Sequence, residues 1–286
     1  MSSDITNSPT SESSVQSSES VQDSEVDNSA VMFGLPGEKL ASCDGHGTLD
    51  ILKITRILEE AGIPCCLVGT SALRYFGVNR LREWYICIPT AQLDIASSLL
   101  KSDPYANDYT PFEPLRVLRL YSLLHTYPRF KCNDISLWFQ LIPSQDCHID
   151  CKPSNFERSR MGLPYPKLDI YAQSLLDTYD LVSLHDLVDG MNLSEEWGNE
   201  HLDLSGTNDT TWAAQKNELI RAAVPSGDYS CLYELSTTAF SRKETWEVAV
   251  RGKEHRLGIK YPKKLFLTRF RLHNDSDPRL SDRIFV

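Results

Sequence analysis

Gly69, Thr70 and Ser71 stand between two apolar stretches, and their types and order could bind phosphate. The apolar residues 65–68 before them predict a short buried strand, and residues 70–76 predict a short helix. A glycine at such a junction lets backbone N–H groups face a phosphate, and the helix N-terminus favours negative charge. The sequence therefore predicts a phosphate-binding turn. In the alternative interpretation, Gly69 only makes the turn and Ser71 caps the helix.

The residues around this turn predict the elements that would hold it in a sheet. Apolar residues at helical spacing predict a helix that Thr48 caps and Gly62 ends. Two apolar stretches, 84–88 and 135–142, predict buried strands. The other predictions for this half are a helix after Thr90, a loop at 102–114, a strand or helix at 115–124 and mostly irregular structure at 143–166.

The second half of the sequence predicts mainly helices. They are expected at 168–178, 181–191 and about 210–223, with a polar loop at 194–210 and a helix favoured at 230–250. The basic segment 253–286 carries phenylalanines among its arginines, a composition that could bind single-stranded nucleic acid. Apolar spacing within 264–272 favours instead a final amphipathic helix whose arginines pair with the acidic helices.

Residues 65–89 resemble the start of the nucleotidyltransferase fold, the polymerase-β-like superfamily. Its signature is a strand, a Gly-Gly or Gly-Ser turn, a helix, and a second strand that carries Asp-x-Asp or Asp-x-Glu. Residues 68–73 match the first half of that signature. The wider chain also resembles uncharacterised fungal proteins with this fold and a degenerate metal-binding motif, in the segments 127–130, 137–141, 184–191 and 277–280.

The resemblance implies Mg²⁺ and a nucleoside triphosphate as cofactors, because paired carboxylates on one face of the second strand would hold the metal. Here the two positions fall on Trp84 and Ile86, or on Glu83 and Tyr85 in the other register. Neither register supplies a carboxylate pair. Glu83 could be a metal ligand, with Asp134 or Asp150 as a further carboxylate.

The missing pair favours a non-catalytic protein, a degenerate nucleotidyltransferase-like binding or scaffold module. The alternative is an active metal-dependent nucleotidyltransferase that transfers a nucleotidyl group from a nucleoside triphosphate to a small molecule, protein or RNA. In that enzyme the Gly69, Thr70 and Ser71 turn would bind the triphosphate, and Glu83 with Asp134 would bind the metal.

Cys147-His148-x-x-Cys151, with Cys132 upstream, has the spacing of one half of a zinc site. No second Cys/His pair at similar spacing follows, which favours buried thiols and a hydrogen-bonded histidine instead. The motifs Gly-x-Ser-x-Gly, P-loop and Gly-x-Gly-x-x-Gly do not occur in the sequence, which argues against the hydrolase and nucleotide-binding classes that use them.

The composition places the chain among acidic globular proteins. Its 286 residues are 41% hydrophobic and carry a formal net charge of -10, which argues against non-specific binding to nucleic acid. The sequence contains no apolar stretch that could span a bilayer, and its N-terminus lacks the apolar region of a secretory signal. With eight scattered cysteines read as reduced thiols, these features predict an intracellular protein, in the cytoplasm rather than the nucleus.

We therefore expect an α+β protein with three parts. Residues 1–40 are acidic and Ser-rich, which predicts a disordered tail. Residues 45–165 would form a nucleotidyltransferase-like α/β domain with a small mixed β-sheet, and residues 166–286 a mainly helical C-terminal region packed on it. The expected partner is a protein or a nucleotide-like ligand, with no membrane and no specific nucleic acid.

Overall fold

Five short strands form a mixed sheet in this computed structural model, which describes residues 39–78, 80, 83–112, 122–223, 234–259 and 277–280. The strands are β1 (Cys66–Val68), β2 (Trp84–Ile88), β3 (Tyr109–Phe112), β4 (Arg129–Cys132) and β5 (Trp138–Pro143). Their order is β1-β2-β5-β4-β3. β2 and β5 run parallel, and the other neighbouring pairs are antiparallel.

Helices connect these strands and cover the sheet. The first half contains α1 (Thr48–Glu60), α2 (Thr70–Tyr75), α3 (Leu93–Lys101) and α4 (Ser144–Cys147). A small hairpin follows, made of β6 (Phe156–Arg158) and β7 (Pro164–Pro166). The second half contains α5 (Leu168–Asp177), α6 (Leu181–Met191), α7 (Glu195–His201), α8 (Thr210–Ala223), α9 (Arg242–Arg251) and α10 (Lys253–Ile259).

One hydrophobic core joins the sheet to the helices. Ile51, Ile54 and Leu58 are fully buried and recur at the three- and four-residue spacing that predicts α1. On the sheet, Ile86 of β2 and Leu141 of β5 lie side by side and are also fully buried. Because side chains alternate along a strand, Trp84 and Ile86 share this face, and Tyr85 and Cys87 occupy the opposite one.

α6 connects the α2 region to the C-terminal helices through buried carboxylates. Its Asp186 accepts a hydrogen bond from Arg80 Nε at 2.7 Å. Its Asp189 accepts from Arg256 Nε at 2.8 Å, and the same guanidinium also donates to the Ala249 carbonyl. Gly190 lies so close to the turn after α2 that a Cβ there would stand 2.7 Å from the Phe76 carbonyl oxygen. These contacts hold the helical half against the strand–turn–helix unit.

The structure confirms an α+β protein with a mixed sheet and a mainly helical C-terminal part. The predicted helices and strands at 48–101, 168–191 and 210–223 are present within a few residues of their expected ends. Among the described residues, no helix has both the length and the apolar character needed to cross a membrane. The domain boundary near residue 166 stays a prediction.

Several local predictions are wrong, and tertiary contacts explain the differences. Residues 102–114 include β3, because buried Tyr109 packs edge-on against Phe139 of β5. The polar stretch 194–210 includes α7, because Trp197 packs against Trp246 of α9, and Ser194 caps the helix by accepting a hydrogen bond from the Trp197 N–H at 3.2 Å. Residues 143–166 include the β6–β7 hairpin, and residues 234–241 are not helical.

Other predictions fall partly or wholly outside the described residues. These are the tail up to residue 38, most of the apolar stretch 115–124 and the amphipathic helix at 264–272. Lys39, at the end of the predicted tail, is described and donates its N–H to the Asp134 carbonyl oxygen at 2.9 Å.

Replacing Asp189 with Asn should strongly destabilise the fold, because it leaves the buried Arg256 guanidinium without its counter-charge. The side chains are 1% and 9% exposed, so we expect a loss of about 3–5 kcal/mol in the free energy of unfolding. Urea unfolding of the full chain measures it. Glu195→Gln is the control, because Glu195 pairs with the exposed Arg251 and should cost under about 1 kcal/mol. Equal losses in the two variants would contradict the role of the buried pair.

Candidate functional site

A cleft of about 680 Å³ opens beside the Gly69 turn. Its walls come from the ends of β1 and β5, from α4, α5 and α8, and from the N-terminus of α6. The side chains that matter most for its chemistry are Tyr85, Cys147, Tyr171, Asp180 and Lys216. A volume of this size can hold one drug-sized ligand.

Gly69 has a backbone conformation that residues with a side chain rarely adopt. Its φ of 63° with ψ of -137° lies where residues other than glycine are strained. A Cβ there would also stand 2.9 Å from Tyr85 Cδ2, so the Tyr85 ring packs directly on the glycine backbone. The Tyr171 hydroxyl donates a hydrogen bond to the Gly69 carbonyl oxygen at 3.1 Å. Burial raises the pKa of Tyr171, which keeps this donor protonated.

The two hydroxyls after Gly69 bind protein backbone. Thr70 Oγ1 accepts a hydrogen bond from the Glu83 N–H at 3.0 Å, and Ser71 Oγ donates to the Glu83 carbonyl oxygen at 2.7 Å. Ser71 is buried, and α2 has no side-chain cap, so the interpretation of Ser71 as a helix cap is wrong. The hydroxyls fix the start of β2 beside α2. The role of Gly69, Thr70 and Ser71 as a phosphate turn stays a prediction.

The structure decides which register of β2 faces the cleft. Tyr85 lines the cleft, whereas Trp84 and Ile86 are buried on the other face of the sheet. Of the two registers that the resemblance allows for the carboxylate pair, the one with Glu83 and Tyr85 places Tyr85 at the cleft. The Tyr85 hydroxyl donates a hydrogen bond to Glu83 Oε2 at 2.7 Å. A phenol thus stands where the second carboxylate is expected, and it already engages the first.

These residues do not fit Mg²⁺. Mg²⁺ requires hard oxygen ligands, mostly carboxylates, in near-octahedral geometry, and a neutral phenol is a poor substitute. Asp134 is exposed in the turn between β4 and β5. Asp150 is exposed and pairs with Lys152. In the described part of the chain, Glu83, Asp134 and Asp150 do not form a group of ligand atoms close enough to hold a metal ion.

Three buried cysteines do form such a group. The sulfur atoms of Cys66, Cys87 and Cys151 all lie within 4.8 Å of one another, and the Cys87 and Cys151 sulfurs are 3.4 Å apart. Cys147 lies near Cys87, outside this close group, and it is half-buried and lines the cleft. Hydrogen bonds from Cys66 and Cys87 lower the pKa of Cys151, and the pKa values of the two donors are raised. We call Cys66, Cys87, Cys147 and Cys151 the thiol cluster.

The spacing of the cysteines along the sequence did not predict this cluster. Cys132, the expected upstream partner, lies on β4 with its side chain on the other face of the sheet. Its place is taken by Cys66 and Cys87, which face each other across the β1–β2 pair. The spacing of these two cysteines along the sequence carries no signal for this pairing, because they meet only through the β1–β2 register.

His148 is hydrogen-bonded, as the favoured alternative to zinc predicted. Its Nε2 lies 3.1 Å from Asp209 Oδ2, and its Nδ1 lies 3.7 Å from Asp177 Oδ2. The Asp209 carboxylate also accepts from the Trp212 N–H at the start of α8. That backbone bond, helped by His148, lowers the pKa of Asp209. His148 therefore anchors α8 beside the cleft.

The charged side chains Lys216 and Asp180, which line the cleft, already have partners within the protein. Lys216 lies 3.0 Å from Asp146 Oδ1 and 4.8 Å from the centre of the Trp212 ring. Asp180 accepts a hydrogen bond from the Ser183 N–H at 3.1 Å and so occupies the N-terminus of α6. Among the described lining residues, Lys216 is the one Lys or Arg. A polyphosphate would meet a paired lysine and a carboxylate at the helix end.

A second cavity of about 520 Å³ lies on the other side of Trp212 and Lys216. Its lining is mostly apolar, with Leu93, Leu123 and Leu219 among the contributors. It shares Asp146, Trp212 and Lys216 with the cleft, so these three side chains form the wall between the two spaces.

Comparisons with known proteins do not show a family for this chain. No family model matches the chain, and no curated protein matches it. The chain is similar to a solved structure, the solution structure of the antibiotic-resistance factor ANT(2'')-Ia, at 14% identity and a TM-score of 0.29. That similarity covers 62% of this chain and 89% of the other. A TM-score of 0.29 is too low for the likeness to bear on what this chain does.

Replacing Gly69 with Ala should destabilise the fold through contact with Tyr85 as well as through backbone strain. Gly62→Ala is the matched control, because Gly62 also has a positive φ but open space around its Cβ position. We expect Gly69→Ala to lose about 1–3 kcal/mol more than the control in denaturant unfolding. The close packing of Tyr85 on the turn would be contradicted if both variants lost the same amount.

Proposed function

We propose that this chain is a degenerate nucleotidyltransferase-like binding module, whose cleft takes a ligand without metal-dependent nucleotidyl transfer. The observation that carries the proposal is the hydrogen bond from the Tyr85 hydroxyl to Glu83 Oε2. Metal-dependent transfer needs carboxylates that hold the metal ions, and the metal ions in turn bind the phosphate oxygens. Here a phenol stands at the position that the resemblance assigns to the second carboxylate, and the remaining carboxylate accepts a hydrogen bond from its hydroxyl.

The cleft favours an aromatic, nucleoside-like ligand over a nucleoside triphosphate. Tyr85, Tyr171, Tyr179 and Trp212 contribute aromatic rings to its lining. Asp180 holds the α6 N-terminus, where a phosphate would otherwise gain from the helix dipole. Without Mg²⁺ to offset its charge, a triphosphate would face carboxylates and a lysine that Asp146 already pairs.

Three further expectations from the sequence accompany this proposal. A protein partner, the resemblance to fungal members of the superfamily and a cytoplasmic location stay predictions. An active nucleotidyltransferase is the competing hypothesis, and the ligand experiment separates it from the binding module.

A thermal-shift panel on the full chain tests the proposal. Nucleosides and nucleoside triphosphates are compared, each with and without Mg²⁺ or Mn²⁺. We expect a nucleoside to raise Tm, because it fills the aromatic cleft without bringing phosphates, and we expect no further rise on adding metal to a triphosphate.

The matched variants are Tyr85→Ala and Tyr105→Ala. Tyr85 lines the cleft, whereas Tyr105 is a partly buried tyrosine outside its lining. Tyr85→Ala should abolish the nucleoside shift, and Tyr105→Ala should keep it. A metal-dependent stabilisation by a triphosphate, or pyrophosphate release from it, would favour the enzyme and overturn the proposal.

A further inference from the structure

We propose that the thiol cluster binds one zinc ion, with Cys66, Cys87 and Cys151 as buried ligands and Cys147 as the fourth. This proposal does not depend on whether the cleft binds the ligand proposed above. Three separate parts of the chain supply the sulfurs: β1, β2 and the segment from the end of α4 to Cys151.

The sheet supplies the first pair of ligands. Cys66 and Cys87 are directly opposite each other in the antiparallel β1–β2 register, so their side chains share one face. Both are fully buried. Strand pairing therefore provides the second Cys pair that the spacing along the sequence lacks.

The α4 segment supplies the other pair. Cys147 and Cys151 are separated by three residues, which is within the spacing typical of zinc ligands. The Cys151 sulfur is 3.4 Å from that of Cys87. Cys147 is half-buried, lies near Cys87 and lines the cleft. Cys147 thus supplies the fourth thiol from the cleft lining, outside the close group of three sulfurs.

The spacing of the sulfurs suits zinc. A Zn–S bond of about 2.3 Å in a tetrahedron puts neighbouring sulfurs about 3.8 Å apart. The three buried sulfurs already lie within 4.8 Å of one another. A disulfide between Cys87 and Cys151 would need their sulfurs about 2.05 Å apart and would leave Cys66 outside the bond. Four thiolates select a soft or borderline ion over Mg²⁺ or Ca²⁺, and tetrahedral sulfur geometry indicates zinc.

A zinc ion here would be structural. Four protein ligands leave no open position for substrate or water, which is the arrangement of closed sites. The ion would fasten the α4 segment to the sheet beside Tyr85, two residues before Cys87. Removing it should loosen the wall of the cleft that carries Cys147.

Metal analysis of the purified full chain is the direct test. We expect one equivalent of zinc per chain by elemental mass spectrometry. After zinc is exchanged for Co²⁺, we expect the near-ultraviolet thiolate charge-transfer band and the strong visible bands of tetrahedral cobalt. A chelator strong enough to remove the ion should lower Tm, and added Zn²⁺ should restore it.

Alanine variants assign the ligands. Cys66→Ala, Cys87→Ala and Cys151→Ala should each lose the bound zinc, and Cys147→Ala should weaken Zn²⁺ affinity by on the order of 100-fold. Cys65→Ala is the matched control, because Cys65 is equally buried next to Cys66 but its sulfur contacts the Thr55 carbonyl instead. This control should keep one equivalent of zinc.

The outcomes separate the proposal from its alternatives. A wild-type chain that carries no metal, does not take up Zn²⁺ and has four free thiols in the cluster overturns it. A Cys87–Cys151 disulfide detected by peptide mass spectrometry also overturns it. If Cys147→Ala binds Zn²⁺ as tightly as the wild type, the assignment of the fourth ligand is overturned. The wild-type metal content and cobalt spectrum decide the main point even if a variant does not fold.

Discussion

The antiparallel register between β1 and β2 determines both sites in this protein. It pairs Cys66 with Cys87 and Val68 with Tyr85. A slip of one residue would turn Tyr85 and Cys87 to the opposite face of the sheet, and Trp84 and Ile86 would replace them at the cleft. The buried face resists that slip, because Ile86 lies beside Leu141 in the core and the Trp84 indole donates to the His46 carbonyl oxygen at 3.1 Å. The hydroxyls of Thr70 and Ser71 fix the same register from the helix side, through both backbone groups of Glu83.

The packing around Gly69 follows from that register. Once Tyr85 faces the cleft, its ring needs the space that a side chain at position 69 would fill. The glycine is therefore required for two reasons, its backbone conformation and the ring against it. Tyr171 of α5 binds the same turn from the helical half, and buried carboxylates on α6 hold that half in place. A residue type typical of phosphate binding is thus used here to admit an aromatic side chain.

The sequence predicted the elements with strong periodicity or clear ends, such as α1, β2, α5 and α6. It did not predict β3 or α7, because their formation depends on distant partners: Tyr109 packs on Phe139, and Trp197 packs on Trp246. For the site, the pattern of residues 83–86 showed that a carboxylate pair is missing in either register, but only the structure shows which register faces the cleft. The thiol cluster could not be assembled from spacing alone, since two of its members meet through strand pairing and not through proximity in the chain.

The same face of β2 shows how the chemistry of the second strand differs from that implied by the resemblance. Glu83, Tyr85 and Cys87 occupy successive positions on that face, because strand side chains alternate. Glu83 provides a hard oxygen ligand, and Tyr85 provides a phenol where the resemblance implies a second carboxylate. Cys87 provides a soft sulfur that belongs to the group of three buried cysteines. The strand therefore lacks the second carboxylate that a hard divalent cation needs. Two residues further along, it provides a sulfur ligand that suits a softer ion. The face of β2 that lacks a carboxylate pair therefore offers a sulfur ligand two residues after Tyr85, which lines the cleft.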